Sequence, residues 1–230
     1  MGDDEWFLTR RAALAAGGGL VAAFLAGCSS PSHGSDGIDS GGSGIAMSYT
    51  NSSPLTGFQD GKRTDVTAPM PQGSGHASGT FAAEPVDARW NISYNGTSDQ
   101  TVVPATVAGM LAGVAASLSG TFNLAPNFLF ESGTITGMAG GPSVSAEAAR
   151  APGASTSSVN VHGDFAGTPF SLYGTLAGDL SSGYVQGTAA GQAFKVSASR
   201  QSQKVDLRGN YSGPSNLLAL IIGTLLYFMG

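Results

Sequence analysis

In the second half of the chain, apolar and polar residues alternate, and glycine recurs at fixed places in the alternation. Four segments share one phrase: Ile135-x-Gly137-x-Ala139-x-Gly141, Val161-x-Gly163-x-Phe165-x-Gly167, Val185-x-Gly187-x-Ala189-x-Gly191 and Leu207-x-Gly209-x-Tyr211-x-Gly213. Their first glycines follow one another at steps of 26, 24 and 22 residues. All but one of the residues at the first two intervening positions are polar (Thr136, His162, Asp164, Gln186, Thr188, Arg208, Asn210), Met138 being the exception. A period of two puts the marked residues on one face of a strand. Between the phrases, Phe170-Ser171-Leu172-Tyr173 and Phe194-Lys195-Val196-Ser197 alternate in the same way and read as return strands. Gly141-Pro142, Thr168-Pro169 and Gly191-Gln192 supply turn chemistry between them. Two strands and two turns per repeat describe an antiparallel meander. Ala77-Ser78-Gly79-Thr80-Phe81 and Leu118-Ser119-Gly120-Thr121-Phe122 echo the phrase, and Trp90-Asn91-Ile92-Ser93-Tyr94 reads as a further strand before an Asn95-Gly96 turn.

Two stretches break the alternation. Pro104 to Leu118 opens with proline and is rich in alanine, which favours an inserted helix. Ser215 to Met229 opens with a good N-cap residue and is apolar all round, which predicts a buried terminal helix. A buried strand pair hinged at Gly223 is the second reading of that stretch, because β-branched and aromatic residues are present. The fold class expected is therefore mainly β (α+β): a Gly-rich antiparallel β-meander curled into an open or closed barrel, with one inserted helix and an apolar C-terminal helix. Aligned glycines on the inner face would leave a shallow trough, which either the terminal helix or an apolar ligand fills. The residues of that expected ligand face are Gly137, Gly163, Phe165, Gly187, Gly209 and Tyr211. The Gly-x-x-x-Gly spacing is not read as a transmembrane helix motif, because these segments carry Asp, Arg, His and Gln. A transmembrane barrel is disfavoured by the polar outward positions.

The start of the chain reads differently. Arg10 and Arg11 precede an uncharged stretch from Ala12 to Gly27, interrupted by Gly17, Gly18 and Gly19. Sixteen helical residues span about 24 Å, short of the roughly 30 Å hydrocarbon core, so the stretch suits a signal peptide better than a permanent span. Leu25-Ala26-Gly27-Cys28 resembles the lipobox of bacterial lipoproteins at every position. The resemblance covers the first 28 residues and implies that Cys28 receives a diacylglycerol and becomes the first residue of the mature chain. Thr9-Arg10-Arg11-Ala12-Ala13-Leu14 resembles the twin-arginine export motif, with Ala13 where that motif prefers phenylalanine. The choice between that route and Sec export stays open. The resemblance thus implies an exported protein, lipid-anchored to the cell membrane or envelope and facing away from the cytoplasm. From Ser29 to about Gly75 the chain is rich in Ser, Gly, Pro, Thr and Asp and reads as a flexible linker. The organisation expected is signal peptide 1–27, lipidated cysteine and linker 28–74, and β-meander domain 75–230.

Composition narrows the chemistry. Only 11% of residues are charged, glycine contributes 35 residues of 230, and the formal net charge is -5. Lys and Arg are scattered, which argues against a nucleic-acid partner. One cysteine permits no internal disulfide and no cysteine-based metal site. The three histidines, His33, His76 and His162, have no ligand spacing, and neither a Gly-x-Ser-x-Gly elbow nor a Walker-type loop occurs. Asp164, Asp206 and Arg208 sit at outward positions and read as cross-strand charge partners. No catalytic residue, metal or cofactor is assigned. The function expected is a non-catalytic, membrane-anchored envelope lipoprotein acting as a binding or interaction module, with the membrane engaged through the lipid. An envelope protein or an apolar ligand is the partner left open. The alternatives are a carrier of an apolar ligand or lipid in the concave β face, and an enzyme whose site sequence does not reveal.

Overall fold

The computed structural model describes residues 44–50, 53–67, 74–93, 102–124, 130–202 and 204–229. The strands are β1 (Ile45–Thr50), β2 (Ser53–Gln59), β3 (Lys62–Thr67), β4 (Ser74–Phe81), β5 (Glu84–Ile92), β6 (Val102–Leu111), β7 (Val114–Leu124), β8 (Phe130–Ala139), β9 (Ser143–Ala151), β10 (Thr156–Phe165), β11 (Thr168–Ala177), β12 (Ser182–Ala189), β13 (Gln192–Gln201) and β14 (Lys204–Asn210). Each pairs antiparallel with its chain neighbours, and β1 closes on β14 from Ile45↔Gly209 to Thr50↔Lys204. The result is a closed barrel of fourteen strands in chain order, the meander that the alternation predicts, with no free edge.

Alternation sets which side chains enter. On β5 the inward set is Val86, Ala88, Trp90 and Ile92, and on β13 it is Phe194, Val196 and Ala198, all buried. The outward set is mostly polar or small, and the large apolar side chains exposed on the described wall are Val102, Met138 and Tyr173. One helix, α1 (Ser215–Met229), follows β14. Residues 216–222 are buried without interruption, and a run of two full turns leaves no side of the helix facing water. Its backbone lies nearest β11 and β12.

The glycine phrase runs round the whole barrel. It occurs on every even-numbered strand, with Gly57, Gly79, Gly109, Gly137, Gly163, Gly187 and Gly209 on β2, β4, β6, β8, β10, β12 and β14. Gly187 shows why: its φ is +151°, and a Cβ there would overlap the carbonyl oxygen of Ser171 on β11. The same overlap with the preceding strand's carbonyl recurs at the other six. These glycines let neighbouring backbones close up where the strands bend into the barrel. This corrects the expectation that they clear a trough for a helix or ligand. The glycine four residues further on is also not an inner-face position; Gly141, Gly167, Gly191 and Gly213 are exposed beyond the strand ends. Five of the connections at this end are two-residue hairpins: Asp60-Gly61, Ala82-Ala83, Ala112-Gly113, Ala166-Gly167 and Ala190-Gly191. Both residues of each have positive φ, the type I′ geometry that matches strand twist.

Two expectations are overturned here. Pro104–Leu118 is not a helix. It is most of β6, the Ala112-Gly113 turn and the start of β7. Val103, Ala105, Val107 and Leu111 face inward while Pro104, Thr106 and Ala108 face out, so pairing and burial on both sides override alanine's helix propensity. The boundary at residue 75 is also too late, because β1, β2 and β3 lie inside the segment expected to be linker and close the barrel. Ile45, Met47, Leu55 and Val66 supply their inward residues, while Ser48, Thr56, Asp65 and Thr67 take outward positions of the alternation.

Candidate functional site

The outer wall carries His76 and His162. His76 Nε2 lies 2.6 Å from Asp87 Oδ1, and His162 Nε2 lies 3.6 Å from Glu147 Oε2. Register places Glu147, His162 and Ser171 opposite one another on β9, β10 and β11. The row has the residue types of a nucleophile relay but not its surroundings. Its His and Glu side chains are more than half exposed, and the strand amides that would stabilise an oxyanion are spent on the ladder. Asp164 is not a cross-strand charge partner; its Oδ1 accepts the Gly167 amide at 2.8 Å and fixes its own turn. Asp206 pairs within its strand, with Lys204 at 3.2 Å, and Arg208 stands opposite Ser197 and Ala46. Among the described residues, no group of three His, Cys, Asp or Glu is placed to hold a metal ion.

The expected ligand-face residues divide into two kinds. Gly137, Gly163, Gly187 and Gly209 serve the strand bend, while Phe165 and Tyr211 are buried in the core. The Tyr211 ring meets Phe194 edge-on, with centroids 5.4 Å apart. Burial pushes the Tyr211 phenol up to about 12, and its hydroxyl has no hydrogen-bond partner. Trp90, Leu118 and Phe122 line a cavity of about 10 Å³, room for at most one water. The lipid-attachment residue Cys28 and the export residues Arg10, Arg11, Leu25, Ala26 and Gly27 lie outside the described residues.

Polar groups enter the interior at both ends. At the end with the short hairpins, Gln59 Nε2 donates to the Tyr211 carbonyl at 3.4 Å, and Thr64 Oγ1 accepts the Ala82 amide at 2.8 Å. Two open clefts of about 410 and 250 Å³ flank the start of α1 there, and Lys62, Gly213 and Ser215 line both. At the opposite end, which carries the longer connections, the buried polar residues of the described chain are Arg150 on β9 and Ser157 on β10. Arg150 is 8% exposed and Ser157 is 3% exposed. Arg150 continues the inward row Val144, Ala146, Ala148, so its register alone sends a cation into the apolar interior. Its Nε has no hydrogen-bond partner, and none of the ion pairs among the described residues includes it. Desolvation by burial holds the guanidinium below its ordinary value. Sequence reading missed Arg150, although the alternation over Val144-x-Ala146-x-Ala148-x-Arg150 was the available signal.

Comparison with known proteins finds no matching family model, no matching curated protein and no matching solved structure. Among the described residues no helix is long and apolar enough to cross a membrane.

Proposed function

We propose that the chain is an exported, lipid-anchored envelope protein that acts as a non-catalytic binding module, its barrel standing in water and plugged by its own apolar helix α1. The polar outer wall around an apolar interior carries this reading. A barrel that crosses a bilayer presents the opposite arrangement, an apolar outward band. A water-facing barrel reaches a membrane by other means, and Cys28, behind Leu25-Ala26-Gly27, supplies one. A diacylglycerol holds a protein stably where a single chain does so only marginally. The carrier alternative requires an interior that the protein's own helix does not fill. The uninterrupted burial of residues 216–222 favours the plugged reading. The anchor is tested by metabolic labelling with a fatty acid in a bacterial host. The full chain takes up label and fractionates with membranes, and Cys28→Ala does neither. Continued labelling of Cys28→Ala would remove the anchor from the account.

A further inference from the structure

We infer that Arg150 and Ser157 form an oxyanion-binding corner on the inner wall at the long-connection end of the barrel, one that takes the carboxylate or phosphate head of a ligand. This rests on reading the barrel as a binding module and is independent of the anchor at Cys28. Arg150 faces inward opposite Val159, and Ser157 is the next inward residue of β10 toward the barrel mouth. The buried polar residues of the described chain are Gln59, Thr64, Arg150, Ser157 and Asn216, so no buried carboxylate answers the guanidinium. Glu131, on the adjoining strand β8, occupies a register irregularity and is exposed.

A buried guanidinium without a counter-charge is costly, whereas one that meets an oxyanion makes charge-assisted bonds in a planar fork. The wall beside it is small: Ala148 on its own strand, Gly133 on β8 and Gly174 on β11. A guanidinium and a hydroxyl are both donors suited to a carboxylate or a phosphate monoester. Two sources share that chemistry, a free phosphate and the head of a short single-chain amphiphile, each reaching the corner from the barrel mouth.

The full chain is titrated calorimetrically with inorganic phosphate and, separately, with octanoate, while the Arg150 Nε–H resonance is followed by NMR. The proposal expects saturable binding of at least one probe with a shift of that resonance. Phosphate binding identifies the free anion, and octanoate binding without phosphate binding identifies the amphiphile head. Arg150→Met weakens the binding by about tenfold or more while leaving the thermal midpoint unchanged or higher, since a charged hydrogen bond is lost along with an unpaired charge. Ser157→Ala, which keeps the cation in place, weakens it by about fivefold. Binding of neither probe at millimolar concentration, or binding that both variants retain in full, overturns the proposal. Either result leaves the labelling at Cys28 untouched.

Discussion

Gly187→Ala and Gly191→Ala, four residues apart, separate the two explanations of the glycine phrase. At Gly191 the φ is +70° and an added Cβ meets nothing within 4 Å. An L-residue there carries only the left-handed penalty of about 1–2 kcal/mol, a strain the barrel already accepts at Ala83, where φ is 66°. At Gly187 the Cβ would overlap the Ser171 carbonyl oxygen, and Leu172 Cα lies 3.1 Å away. A disfavoured backbone costs roughly 1–3 kcal/mol, and overpacking costs about the same again. Gly187→Ala should therefore lose roughly 2–6 kcal/mol, a large share of a net stability of about 5–15 kcal/mol. Equilibrium urea unfolding of the full chain reads both variants, with a lower midpoint at unchanged slope expected. Combination with Ile222→Ala distinguishes strand from helix. If the clash is with β11, the two effects add within about 0.5 kcal/mol. A Gly187→Ala cost no larger than that of Gly191→Ala, or one that the helix truncation relieves, would refute the strand-bend account.

Two further outcomes follow from the interior. Ile221→Ala should lower stability by about 2–5 kcal/mol in the same unfolding assay, because Ile221 is 1% exposed in a closed interior with little room to collapse. Tyr211 should resist ionisation until about pH 12, read by ultraviolet difference titration. Its folded pKa lies above the unfolded value of roughly 10, so the native state keeps a proton that the unfolded chain gives up. The stability this contributes is full below about pH 10 and is lost as pH rises toward 12. Tyr211→Phe should lack that loss and be near neutral at pH 7, since the hydroxyl it removes has no partner.

Much of the fold was legible because strand alternation is a local signal. The four clear phrases at Gly137, Gly163, Gly187 and Gly209 gave the meander and its inward face. Of the three earlier copies only the one at Gly79 reads as an echo, and particular residues obscured the regularity. Gln59 stands where the others carry an apolar residue, Ala83 replaces the turn glycine after Gly79, and the step from Gly79 to Gly109 stretches to 30 residues. Alanine hid β6 and the start of β7, because Ala105, Ala108, Ala115 and Ala116 have high helix propensity in isolation, and only pairing with neighbouring strands makes them strand. Composition hid β1 to β3, since a half-buried strand in water shows mostly its polar half. The purpose of the glycines was not legible at all. Sequence puts Gly187 on the inner face, but the atom it makes room for belongs to a strand paired beside it, not to anything across the interior. Arg150 was legible from alternation and was passed over because the search for chemistry began from histidines and carboxylates.

The central claim is a barrel permanently plugged by its own helix, and amide hydrogen exchange of residues 217–222 tests it most directly. These residues are at most 2% exposed, inside a wall with no free edge. If the plug is part of the cooperative core, their amides exchange only through global unfolding, with the same opening free energy and denaturant dependence as Leu172 of β11 and Val185 of β12. Exchange of the helix amides through a smaller, denaturant-insensitive opening, while those strand amides stay protected, would contradict the claim and make α1 a detachable element over an interior that can open to a ligand.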